Sequence, residues 1–152
     1  GYWDCTQEFV ERVNAVLALN RRTAVTVRAP FVRKRKSELV ALGSDHIVMR
    51  LDDDRTALLS LTALRTVRPE PGAAALATGD RARSAGRTLA AVLERCREEA
   101  TPIVLGLEGL DELLAGQVLA LGEDVVTFRV TALDQGILYL PLSAVDEVVM
   151  DA

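Results

Sequence analysis

Four adjacent cations, Arg33-Lys34-Arg35-Lys36, form the densest run of chemistry-bearing residues in the chain. Such a run can neutralise several phosphates of a nucleic acid, although phosphate contacts position a protein without reading bases. Phe31 is the one aromatic close by, whereas single-strand binders usually stack bases on several. The run falls between two strand-like segments, where it is expected to crown a solvated hairpin. The equivalent loop further along, Leu107 to Leu114, carries Glu108, Asp111 and Glu112 instead. Residues 1–70 hold 12 Lys+Arg against 9 Asp+Glu, net +3; the remainder holds 6 against 13, net −7, together the chain's −4. Opposite charges on equivalent loops suggest a pairing surface. Contacts of that kind set orientation and register more than affinity at physiological salt.

The remaining reactive groups are sparse. His46 is the only histidine, and strand alternation puts it on the outward face, half-exposed. No Ser or Cys is spaced to be its nucleophilic partner, so a role as general base has no support. Asp52-Asp53-Asp54 lacks the glycine and distal glutamate of a calcium loop and reads as a turn. Phosphate-cradling glycine patterns are absent. Cys5 and Cys96 lie far apart without CxxC spacing, which suggests a reducing compartment and neither a disulfide framework nor a zinc site. Hence no catalytic, cofactor-binding or metal-ligating residue is expected, and the chain is read as non-enzymatic. The acidic balance argues against general nucleic-acid binding. With no run of eighteen apolar residues and no signal-peptide pattern at Gly1-Tyr2-Trp3-Asp4, a cytoplasmic location without membrane association is expected.

The elements that must position these groups recur within the chain. Leu39 to Leu51 (LVALGSDHIVMRL) matches Val118 to Val130 (VLALGEDVVTFRV) at an offset of 79 residues. Leu58 to Val67 (LLSLTALRTV) matches Tyr139 to Val148 (YLPLSAVDEV) at 81, and Thr23-Ala-Val-Thr-Val matches Thr101-Pro-Ile-Val-Leu at 78. Small drifts in offset are what loop insertions between paired strands produce. Each unit is expected to open with an amphipathic helix. The first has Asp4 as N-cap, Gln7 three residues on, and Phe9, Val13, Val16 and Leu17 on one face; the second has Leu89, Val92, Leu93 and Cys96, with Pro102 beyond its end. In the strands, Ile47, Met49 and Leu51, and likewise Val126, Phe128 and Val130, point inward, with Arg50 and Arg129 outward. Ser44-Asp45 and Glu123-Asp124, each behind a glycine, read as hairpin turns. With 49% apolar but only 4% aromatic residues, the cores should be aliphatic.

Gly116-Gln-Val-Leu-Ala-Leu-Gly-Glu-Asp-Val-Val and Tyr139-Leu-Pro-Leu-Ser-Ala-Val resemble the hydrophobic motifs of bacterial Sm-like proteins, the family that includes Hfq. The resemblance covers both units, about two-thirds of the chain. It implies a tandem of small, bent, five-stranded SH3-type barrels that associate through edge strands. The family's motif asparagine, Arg-Gly and Lys-His residues have no counterpart here, so its RNA site does not transfer.

The expected fold is therefore mainly β with α: two repeated units, each an N-terminal helix plus a small bent antiparallel SH3/Sm-like barrel. Unit one spans residues 1–68, a Pro/Gly/Ala-rich linker 69–80, and unit two 81–152. The expected function is a non-enzymatic assembly or protein-interaction module, with a homo-oligomer or a protein as partner. The alternative is an RNA- or DNA-binding regulator that uses the basic hairpin of unit one.

Overall fold

The computed structural model describes residues 23–29, 33–51, 54–64, 66–69, 87–131 and 136–151. The first five strands are β1 (Thr23–Ala29), β2 (Arg33–Leu42), β3 (His46–Arg50), β4 (Arg55–Ser60) and β5 (Thr66–Pro69), in which Val, Leu and Thr favour extended backbone. The helix α1 (Leu89–Glu98) follows, then β6 (Ile103–Leu107), β7 (Leu114–Leu121), β8 (Val125–Val130), β9 (Ile137–Pro141) and β10 (Val145–Asp151). A 3-10 turn, Leu142–Ala144, links the last two strands. All ten strands join one sheet in the order β5-β1-β2-β3-β4-β10-β6-β7-β8-β9. Every pairing is antiparallel.

This sheet overturns the expected pair of helix-plus-barrel units. One helix occurs among the described residues, and the stripe expected at Phe9 to Leu17 lies outside them. β10 bonds to β6 on one side and to β4 on the other, so hydrogen bonds cross the boundary between the expected units. Periodicity shows that a segment is a strand and which residues share a face. It carries no information about which neighbour the strand's outer edge will choose. Of the expected linker, Pro69 pairs with Val25 as the end of β5, and residues 70–80 lie outside the described part.

The pairing registers follow the sequence offsets. β2 and β3 pair Leu42 with Ile47, Ala41 with Val48 and Leu39 with Met49, and skip a residue between Leu39 and Ala41. β7 and β8 pair Leu121 with Val126, Ala120 with Thr127 and Val118 with Phe128, and skip between Val118 and Ala120. Each position is displaced by 79 residues, bulge included. Both turns close the same way: Gly43 N–H donates to His46 O and Gly122 N–H to Val125 O, each at 2.8 Å.

Two apolar clusters pack on the sheet. One is built from Leu39, Leu42, Ile47, Met49, Leu59 and their neighbours, and takes in Val149 from β10. The other surrounds Phe128 with Leu93, Leu105, Val126 and Val148, and takes in Leu58 from β4. Adjacent residues of β4 and of β10 therefore face different clusters, which buries both sides of the sheet at this junction. Near-continuous apolar runs such as Ala57-Leu58-Leu59 are what such doubly covered strands require. The residues expected inside are buried: Ile47, Met49, Leu51, Val126 and Phe128, with Val130 half-buried and Arg50 and Arg129 exposed.

Helix α1 covers the second cluster. Leu89, Leu93 and Cys96 recur at helical spacing and are buried, with Val92 packed beside them. Thr88 caps the start, its Oγ1 accepting the Ala91 N–H at 3.1 Å. The end is closed by Ala100 at φ 52° and by the Thr101 N–H donating to Cys96 O at 2.9 Å, just ahead of Pro102. Among the described residues no helix is long and apolar enough to cross a membrane.

Candidate functional site

The sheet edge formed by β9 combines exposure, apolar character and an uncommitted row of backbone groups. β9 pairs with β8 through Val126–Leu140, Thr127–Tyr139, Phe128–Leu138 and Arg129–Ile137, and among the described residues it ends the sheet. Leu140 is buried, but Ile137 and Leu138 are exposed and Tyr139 is 75% exposed. β4, which holds the matching place beside β3, differs: Leu58, the residue matched to Tyr139, is 4% exposed because β10 lies alongside. Val125, at the start of β8 and opposite Pro141, extends the exposed apolar strip. An uncovered edge strand of this kind is a template for the addition of another strand.

The charged stretches sit differently from expectation. Arg33, Lys34, Arg35 and Lys36 do not crown a hairpin. They are the first residues of β2, paired with Ala29, Arg28, Val27 and Thr26. β1 and β2 continue pairing further towards their connection than hydropathy alone indicates, because backbone ladders tolerate polar residues. Glu108, Asp111 and Glu112 do lie in an exposed loop, between β6 and β7, with Leu110 and Leu113 exposed among them. That loop is anchored by the Glu108 N–H donating to Ala144 O at 2.8 Å and turns at Gly109, φ 81°. β3, β4 and β10 separate β2 from β6, so the basic and acidic stretches are not sheet neighbours within one chain.

His46 corrects a second expectation. It is 2% exposed, not half-exposed. Its ring lies over Gly43, where an added Cβ would come within 2.1 Å of the ring's Cε1. Nδ1 is 2.8 Å from Asp45 Oδ1, so the proton sits on Nδ1 and donates to the carboxylate. The same Oδ1 accepts the Leu89 N–H at 2.8 Å, and the Ser44 N–H donates to Arg87 O at 3.2 Å. The turn between β2 and β3 is thus clasped to the first turn of α1. Acidic groups at a helix N-terminus interact favourably with its exposed N–H groups. Alternation correctly put His46 on the face opposite Ile47; the helix start bonded to its turn is remote in sequence, Leu89 lying 44 residues from Asp45. The Asp45 carboxylate thus orients the ring.

Two further carboxylates, Asp146 and Glu147, are buried in β10. They straddle an irregularity in the pairing with β6, where the register shifts between Val145 and Glu147. Nothing in the sequence pattern marks them, since their neighbours are uniformly apolar. Cys96 is a free thiol in the core, and its burial raises its pKa above the ordinary value, which keeps it protonated and poorly nucleophilic. Asp54 adopts φ 65° in the turn before β4, a conformation that Asp tolerates better than most residues. Asp52 and Asp53 lie outside the described residues.

Residues 1–53 match the family model described as "QueC: Queuosine biosynthesis protein QueC". The match covers 53 of the 152 residues and stops before β4, so it includes neither β9 nor the acidic loop. It is a similarity of that stretch and does not assign the chain to the family. Comparison with curated proteins finds no match.

Proposed function

We propose that the chain is a non-enzymatic assembly module that works by strand addition at β9. The observation that carries this reading is the contrast between β4, sealed by β10, and β9, which presents Ile137, Leu138 and Tyr139 to solvent. Exposed large apolar residues clustered on one strand mark an interaction surface more often than scattered ones do. The free, protonated Cys96 thiol fits the reducing, cytoplasmic setting proposed with it. Light scattering on the purified chain and on Tyr139→Lys tests the reading, because a charge on an edge strand opposes strand addition. The expected outcome is a wild-type mass above the 16.5 kDa of one chain and a variant that returns to it. A variant with the wild-type mass contradicts the proposal.

The nucleic-acid reading rests on the four cations at the start of β2. Reversing Arg33, Lys34, Arg35 and Lys36 to Glu should abolish oligonucleotide binding if that reading holds, with a salt slope falling by about one unit per lost phosphate contact. Anisotropy that shows no binding by the wild-type chain removes it.

A further inference from the structure

We infer that the outer face of β8 and β9, beside the Gly122–Val125 turn, receives the start of an amphipathic helix from a partner protein. This goes beyond the assembly reading, because strand addition uses the backbone edge of β9 and a docked helix uses the side chains of its face. The template is inside the molecule. In the first hairpin the turn holds the start of α1: Asp45 Oδ1 accepts the Leu89 N–H, and the Ser44 N–H donates to Arg87 O. Leu89 belongs to the same apolar cluster as Leu58 of β4, with Val48 of β3 packed against it.

The second hairpin repeats the geometry of that seat. In the first, His46 lies opposite Ser60, Val48 opposite Leu58 and Arg50 opposite Thr56. In the second, Val125 lies opposite Pro141, Thr127 opposite Tyr139 and Arg129 opposite Ile137, the same register displaced by the sequence offsets. Alternate residues of a strand share a face, so Val125, Tyr139 and Ile137 hold the places of His46, Leu58 and Thr56. The side chain that follows each turn also leans over the turn's glycine. An added Cβ would stand 2.1 Å from His46 Cε1 at Gly43 and 2.9 Å from Val125 Cγ1 at Gly122. The two seats differ in what covers them: His46 and Leu58 are buried, whereas Val125, Ile137 and Tyr139 are exposed. Asp45 serves both Leu89 and His46, while the Asp124 carboxylate accepts no hydrogen bond among the described residues.

The template also defines the chemistry of the occupant. α1 offers its turn a basic residue, Arg87, then the Thr88 cap and a first turn free of acidic residues. The positive end of the helix therefore meets the Asp45 carboxylate without competition from its own side chains. At the second turn Glu123 replaces Ser44, so two exposed carboxylates, Glu123 and Asp124, face such a helix start and attract it more strongly. The face is more apolar as well, with Val125 in place of His46, Ile137 of Thr56 and Pro141 of Ser60. Apolar residues clustered in the open mark an interaction surface. Among the described residues α1 is the one helix, and it is engaged at the first turn, so the occupant belongs to a partner. That helix carries a basic residue ahead of a hydroxyl cap and apolar residues at its first and fifth positions, as Leu89 and Leu93 are in α1.

A peptide that copies Arg87–Glu99, with Cys96→Ser to prevent oxidation, is the probe. It is titrated into the isotope-labelled full chain, and amide shifts in the magnetic-resonance spectrum locate the binding. Saturable shifts at Gly122–Thr127 and Ile137–Leu140 are expected, with none at Gly43–Val48. Asp124→Ala should weaken binding about 2- to 30-fold, the effect of a lost helix cap. Val125→Glu should abolish it, because a charge then opposes the apolar side of the helix. Thermal melts check that each variant folds as the wild type does. Shifts at Gly43–Val48 mean that the peptide displaces α1 from the first turn, and they overturn the inference. No shift at about 1 mM peptide overturns it too, as does binding unchanged in both variants. If Val125→Glu returns an assembled chain to 16.5 kDa in light scattering, a second copy fills the face, and the partner is overturned while assembly stands. An unchanged mass in Tyr139→Lys overturns the edge reading alone, provided that the peptide shifts are seen.

Discussion

The turns Gly43-Ser44-Asp45-His46 and Gly122-Glu123-Asp124-Val125 close through the same backbone bond and lead into strands of the same register. Each also accepts one N–H at its aspartate carbonyl, from Leu61 at 3.0 Å in the first and from Leu142 at 2.9 Å in the second. Their surroundings differ. The first lies under the start of α1 and buries His46, whereas Val125 in the second is 37% exposed. The same division holds for β4 and β9. Local sequence sets the hairpin and its register, and what the rest of the chain lays over it sets which residues become core, clasp or free edge.

The sharpest way to break this comparison is to truncate matched residues on the two strands. Leu58→Ala removes a side chain enclosed between β10 and the second cluster and should lower stability by about 2–5 kcal/mol. Tyr139→Ala, at the matched position, should stay within about 0.5 kcal/mol in the dissociated chain, as an exposed substitution does. Denaturant titration of both variants measures the difference, and equal losses would mean that β9 is as enclosed as β4.

Gly116→Ala comes next. An added Cβ would stand 1.9 Å from Arg129 O and 2.9 Å from Phe128 Cε2, so backbone must move, at a cost of about 1–3 kcal/mol. The residue matched to it by the sequence offset is Ser37, so the two hairpins differ in side chain at this position. A thermal midpoint within a degree of wild type would show that the β7–β8 approach is looser than described.

The clasp yields a smaller contrast. Asp45→Ala removes the acceptor for the Leu89 N–H and the partner of His46, and should cost about 0.5–2 kcal/mol, the range for a lost helix cap. Asp124→Ala should cost less than half of that, since its described bond uses only the carbonyl. Equal effects would show that Asp45 acts through the turn alone. Smallest of all is the pair on the exposed face of α1. The Arg97 guanidinium bonded to Glu94 lowers that carboxyl's pKa below its ordinary value, so its contribution is present above the unfolded pKa and is lost as pH falls through the folded one. Glu94→Gln should remove a slight acid-side slope in the melting temperature and change nothing near neutrality.

Much of the local fold was legible in the residues. The offset matches anticipate the paired hairpins, alternation identifies Ile47, Met49, Val126 and Phe128 as buried, and the helical stripe at Leu89, Leu93 and Cys96 is the face that packs. The joining of the two halves into one sheet through β10 was not legible, because no side-chain pattern names the strand that an edge will pair with. His46 was misjudged for a related reason: its turn is bonded to Arg87 and Leu89, a segment remote in sequence that strand alternation does not reveal. Arg33 to Lys36 looked like a loop because cations are poor core residues, yet a ladder needs only their backbone. The residues expected to carry the site were the charged stretches and not Ile137 to Leu140, because apolar strand residues read alike whether or not a neighbouring strand covers them.

The most direct measurement is hydrogen exchange over Ile137–Leu140, followed by mass spectrometry at high and low protein concentration. The account predicts that these β9 amides are protected at high concentration and exchange faster on dilution, while β4 stays protected throughout. Exchange in β9 that is the same at every concentration would contradict it.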